Sequence, residues 1–254
     1  MGLDPESKSY VFRVWGVKTP DPSWGLLVGD CVHNARSALD HLAYQLACLN
    51  LGRDLNEDEA KKIQFPIAED PAKFAKMRGR IDNLADVDRA RIEVLQSFNA
   101  WDESIWGTLR MPGPPAPIPS YLLQVHQLDI IDKHRTMHPT WVSPTLGGQP
   151  VGARELGITG TTTSIDVLSE GGEIGRWHFQ DMPPEPSAEM APFLNDYFPI
   201  HISLREPHFA TGVSRILRDC IMAVSMVTDM FEPRLMGQGA PALLKYWDGG
   251  PPWF

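Results

Sequence analysis

The chain has 254 residues, 43% of them hydrophobic, and a formal net charge of −9. That length and apolar content fit one large domain, or a domain with a sizeable insertion, and exclude global disorder. The negative charge repels nucleic acid on average, so a nucleic-acid role requires a local basic patch.

The N-terminus, MGLDPESKSY, lacks a basic stretch followed by an apolar one, so no signal peptide is expected. Glu6 stands where a myristoylation motif prefers Ser or Thr. No apolar run approaches the length needed to cross a bilayer, so no membrane partner is expected. Cys31, Cys48 and Cys220 are odd in number and widely spaced. They fit a reducing, cytoplasmic setting better than a disulfide framework or a zinc ribbon.

Ser9–Val17 reads as a strand, and Asp21 or Ser23 is placed to cap the helix that follows. Trp24–Leu51 reads as a long helix ending near Gly52. Asn56–Lys62 starts a short acidic helix, and Pro71–Arg80 and Asp86–Phe98 read as two more. The proline-rich Arg110–Ser120 cannot continue a helix, and Pro119 or Ser120 suits the start of the next, Tyr121–Arg135. From Pro139 the pattern changes. "TSIDVL" alternates, "SEGGE" is a turn, "IGRWHFQ" returns, and "IHISLRE" alternates again, which predicts a small antiparallel sheet. "GGQPVG" and "GITGT" read as turns. Thr211–Phe231 is an amphipathic helix that Pro233 stops. The expected fold is α+β and mainly helical, a single domain over 1–254. Its helical bundle occupies 20–138 and 207–235, with a β insertion at about 139–206 that strand 9–17 could join. The strand so near the start leaves room for a missing N-terminal helix supplied by a partner chain.

At about 100° per residue, one arc of the Trp24–Leu51 helix carries Cys31, Val32, Ala35, Leu39, Leu42, Ala43, Leu46 and Leu49, the expected core face. Nearly opposite run Asp30, Asn34, Ser37, His41 and Gln45; His33, Arg36 and Asp40 form a second polar line. Solvated faces are usually rich in Lys and Glu, and neither occurs from Gly25 to Leu51. Asn, Ser, His and Gln suggest a polar line that meets another element or a ligand. The helix Tyr121–Arg135 is apolar nearly all round, which predicts a central position. Yet it carries His126, Asp129, Asp132, Lys133, His134 and Arg135. Buried carboxylates need partners, so its "DKHR" end is expected against the first helix, with Asp132 or Asp129 pairing Arg36, a histidine or both.

The segment "RSALDH", Arg36 to His41, resembles the Arg-x4-His motif of the HEPN superfamily. "GDxxHNxRSALDHLAYQL" followed by "DKHR" also resembles a group of bacterial and phage proteins without an assigned activity. The HEPN resemblance implies a metal-independent ribonuclease, or its inactive relative, acting on RNA without a cofactor. It implies His41 as general acid or base and Arg36 as stabiliser of phosphate charge; the expected contact with the "DKHR" helix end adds Asp132 and His134 to the catalytic set. Asp30, His33, Asn34, Ser37, Asp40, Asp129, Lys133 and Arg135 would support it. Arg36 and His41 lie about 140° apart on an ideal helix. A shared phosphate therefore needs arginine reach, a homodimer or a local break.

Two other functions stand beside this one. A non-catalytic binding or assembly protein would use the cluster as a structural ion-pair network. Its contact surface would be the sheet or the helix carrying Met222, Met226 and Met230. A metal-binding bundle would use the histidine pairs His33/His41 and His126/His134, each eight residues apart, but neither HExxH nor a repeated carboxylate–His motif occurs, so no metal ligands are assigned.

Overall fold

The computed structural model describes residues 1–99, 118–134, 137–142, 157–163, 168–183, 201–204 and 212–237. The fold is α+β and mainly helical, with a small antiparallel sheet before the C-terminal helix. It divides into two compact units, Met1–Val28 with Thr136–Ile216, and Gly29–Arg135 with Leu217–Phe254.

The first unit holds the strands. β1 (Gly2–Asp4), β2 (Ser9–Arg13), β4 (Ile158–Thr163) and β5 (Glu173–Phe179) form one sheet in the order β1-β2-β5-β4. β3 (Pro139–Val142) and β6 (His201–Leu204) form a separate pair. The N-terminal strand thus joins the insertion, with Tyr10 opposite Trp177 and Val11 opposite Arg176. Alternation puts Tyr10, Phe12, Trp177 and Phe179 into one buried cluster. The ring pairs Tyr10–Phe179 and Phe12–Trp177 meet edge to face at 4.9 Å.

Several strand boundaries differ from expectation. β2 ends at Arg13 rather than Val17, because the register shifts after Phe12 and Gly16 turns the chain at φ +71°. After Gly157, "GITGT" is strand rather than turn: Ile158, Gly160 and Thr161 pair with β5, and the irregularity between Ile158 and Gly160 leaves Thr159 as the extra residue. β-branched Ile and Thr favour that state. The expected strand Thr163–Leu168 keeps only Thr163, while 164–167 lie outside the described residues.

The second unit is helical. Most of α1 (Ser23–Leu51) belongs to it, with α2 (Glu57–Lys62), α3 (Pro71–Met77) and a 3-10 turn (Arg78–Ile81). α4 (Asp86–Val94), a second 3-10 turn (Ser97–Asn99), α5 (Ile118–His134) and most of α6 (Val213–Leu235) complete it. The α1 core face is Val32, Ala35, Leu39, Leu42, Ala43 and Leu46. Cys31 and Leu49, at the edges of the expected arc, are exposed. α2 begins with a reciprocal capping box between Asn56 and Glu59, and α3 with Asp70 capping Lys73 N and Pro71 in the first turn.

α5 buries Leu122, Val125, Leu128 and Asp129 but leaves Ile130 exposed, so it is half-buried rather than central. α6 continues through Pro233 to Leu235 instead of stopping. A proline so near the end forfeits one backbone bond only, and the next turn closes with Met236 N donating to Glu232 O and with Gly237 left-handed. Trp101, Trp106, His208 and the proline-rich 110–117 lie outside the described residues.

Candidate functional site

Two rungs join α1 to α5, which run in opposite directions. A Cβ on Gly29 would stand 2.0 Å from Asp132 Oδ1, so the glycine makes room for that carboxylate. One turn on, His33 Nδ1 lies 3.3 Å from Asp129 Oδ1. Asp129 is 2% exposed, and its other oxygen accepts from Lys133 Nζ at 2.7 Å. Further along both helices, the charge of Arg36 acts on His126.

Arg36 is 1% exposed. Its Nη2 donates to Asp40 Oδ1 at 2.8 Å and to the Phe65 carbonyl at 2.6 Å. Phe65 N donates in turn to the same Asp40 oxygen at 2.9 Å. An i, i+4 pair on α1 therefore satisfies both backbone groups of one residue in the segment after α2. Burial lowers the Arg36 guanidinium pKa against the pull of Asp40 and Asp129, yet arginine still keeps its proton at neutral pH. Burial also pushes the Asp40 carboxyl up, opposed by Arg36, the Phe65 amide and a Gln64 side-chain hydrogen bond. His126 is held below the ordinary imidazole range, first by burial and then by the Arg36 charge. Arg36 Nε, Arg36 Nη1 and His126 Nδ1 are buried and make no hydrogen bond among the described residues.

The other expected site residues are dispersed. His41, Asp30, Asn34 and His134 are exposed, as are His33 and Lys133 despite their contact with Asp129; Ser37 and Asp132 are half-buried. Arg36 and His41 thus occupy different environments, one inside and one in solvent. Arg135 lies outside the described residues. Among the described residues, no group of three or more His, Cys, Asp or Glu side chains is placed to hold a metal. No described helix is long and apolar enough to cross a membrane.

Sequence reasoning missed a cleft. An open concavity of about 600 Å³ is lined by Asp40, Lys61, Lys62, Gln64, Lys76 and Arg80, with Ile63 and Gly79. Its cations come from the last turns of α2 and α3 and from the 3-10 turn. Arg80 Nη1 donates to Gln64 Oε1, and Gln64 lies near enough to Asp40 to help hold its carboxyl down. The backbone of Gln64 also donates to Arg80 O at 3.4 Å. Gln64 thus stands between the Arg36–Asp40 pair and Arg80 at the cleft. The one sequence signal available was KKIQ between two acidic helix starts, which reads equally as cations complementing a helix end. No protein-family model, no curated protein and no solved structure matches the chain.

Proposed function

We propose that this is a non-catalytic binding protein whose Arg/Asp/His cluster is a structural network and whose ligand site is the basic cleft beside it. One observation carries this reading. The Arg36 guanidinium is sealed from solvent and committed to a backbone carbonyl and to Asp40. A residue so engaged fixes the segment around Phe65, and its two remaining nitrogens are buried away from solvent. His41, which a ribonuclease would share with it, stands exposed. A proton-transfer group and its charge stabiliser must converge on the same reacting atoms, which the different surroundings of Arg36 and His41 within one chain do not favour.

The test is metal-free incubation of the full chain with varied RNAs in the presence of a chelator. Wild type and His41→Ala are expected to be equally inactive. Cleavage by the wild type that His41→Ala abolishes overturns the reading in favour of the ribonuclease.

A further inference from the structure

We infer that the cleft between α2, α3 and the following 3-10 turn binds a compact anion carrying several adjacent phosphate groups, with Arg80 as its oriented contact. The inference rests on the binding-protein reading and names the ligand class that such a site takes.

Charge is the first support. The chain carries −9 overall, yet Lys61, Lys62, Lys76 and Arg80 surround one cleft. Asp40 is the carboxylate in the lining, and Arg36 faces it from behind at 2.8 Å. Lys61 pairs with exposed Glu57. Among the described residues, Lys62 and Lys76 make no ion pair, and Arg80 is held by a neutral amide. One or two cations would complement the ends of α2 and α3. Four, drawn from three consecutive elements, concentrate positive potential in a concavity, where the field on an entering anion is strongest.

Preorganisation is the second. Lysines are flexible point charges, whereas an arginine presents a planar fork matched to phosphate oxygens. Gln64 accepts one Arg80 N–H, and its backbone N–H donates to Arg80 O, so it holds the arginine from two sides. Gln64 is a positioning residue; Arg80 and the lysines are the contacts.

The lining also decides between ligand classes. About 600 Å³ suits a small molecule. Among the described residues, no aromatic side chain lines the cleft, and Phe65 is fully buried. Single-stranded RNA is held by stacking bases on aromatic rings, a contact that this surface does not provide. Charge density without a base platform fits a short polyphosphate.

Isothermal titration of the full chain with inorganic tripolyphosphate tests this, with sulfate at matched ionic strength and a short single-stranded RNA as competitors. One tripolyphosphate per chain is expected, with binding weakened at least about tenfold by Arg80→Gln. Gln64→Leu is expected to weaken binding several-fold while leaving the dependence of affinity on salt unchanged, because every cation remains. Absence of saturable binding, or equal binding by Arg80→Gln, overturns the inference. Tighter binding of RNA than of tripolyphosphate overturns the ligand class. A finding of RNA cleavage would instead overturn the preceding section, so the two failures are distinct.

Discussion

Arg36 in the helical unit and Arg176 in the sheet unit both meet carboxylates, in opposite surroundings. Arg176 stands on a strand face with its side chain 27% exposed. It grips Glu173 through two bonds of 2.6 and 2.9 Å and reaches Asp4 at 2.7 Å. Glu173 and then Asp4 hold its pKa above the ordinary arginine value. Arg36 has one carboxylate, one carbonyl and two nitrogens without partners among the described residues, and burial works against its charge. Arg176 has the better hydrogen bonds and Arg36 the greater consequence. A half-buried pair replaces contacts that water can still supply in part; a buried one cannot be broken without stranding what remains.

The largest expected effect sharpens that contrast. Arg36→Ala should cost about 3 kcal/mol, lowering Tm by about 10 °C in thermal unfolding followed by circular dichroism, with little salt dependence. A loss comparable to that of an exposed pair would show that the site relaxes or admits water.

A second contrast sets Gly25 in the sheet unit against Gly29 in the helical one. A Cβ at Gly25 would lie 2.0 Å from the Met137 carbonyl oxygen, a backbone atom; at Gly29 it would lie 2.0 Å from the Asp132 side chain. Both substitutions overpack, but only one obstacle can rotate away. Gly25→Ala should lower Tm by about 6 °C and Gly29→Ala by about 3 °C. Only the second should be rescued, by Asp132→Ala, in a double-mutant cycle. Equal losses, or no rescue, would place the strain elsewhere.

Arg176→Ala should do least, with a Tm change below about 2 °C that shrinks in high salt. It should also fade with acid. Asp4 is held below the ordinary carboxylate range, first by the Ser7 hydroxyl and then by Arg176. A carboxyl lowered on folding stabilises above its unfolded pKa and loses that contribution as pH falls through its folded value. Tm of wild type and variant should therefore converge below that range; divergence on acidification would assign the effect to packing.

Periodicity made the long helices legible. The arc from Val32 to Leu46 and the spacing of Val213 to Phe231 each declare one buried face. The carboxylates of α5 also pointed towards α1, and Asp129 and Asp132 do lie against it. What pattern could not reveal was any partner that is backbone. Nothing in the letters ties Arg36 to Phe65 O, or Gly25 to Met137 O. The cleft was equally hidden, because short helix ends supply its cations and a glutamine in an irregular segment orients its arginine. β4 was displaced by treating glycine as a turn marker, where it sits at an irregularity in a strand.

The stretch from Phe65 to Ala68 is buried without belonging to a helix or a sheet. Its backbone is answered by Arg36 and Asp40 at Phe65, by the Gln96 amide at Pro66 O and Ala68 N, and by the Ser97 hydroxyl at Ala68 O. Four side chains from two helical regions thus do for it what a neighbouring strand does elsewhere. A ladder tolerates the loss of any one letter, since its bonds come from the main chain. Here each bond is encoded by a particular residue, so this corner of the protein stands open to point mutation in a way the sheet does not.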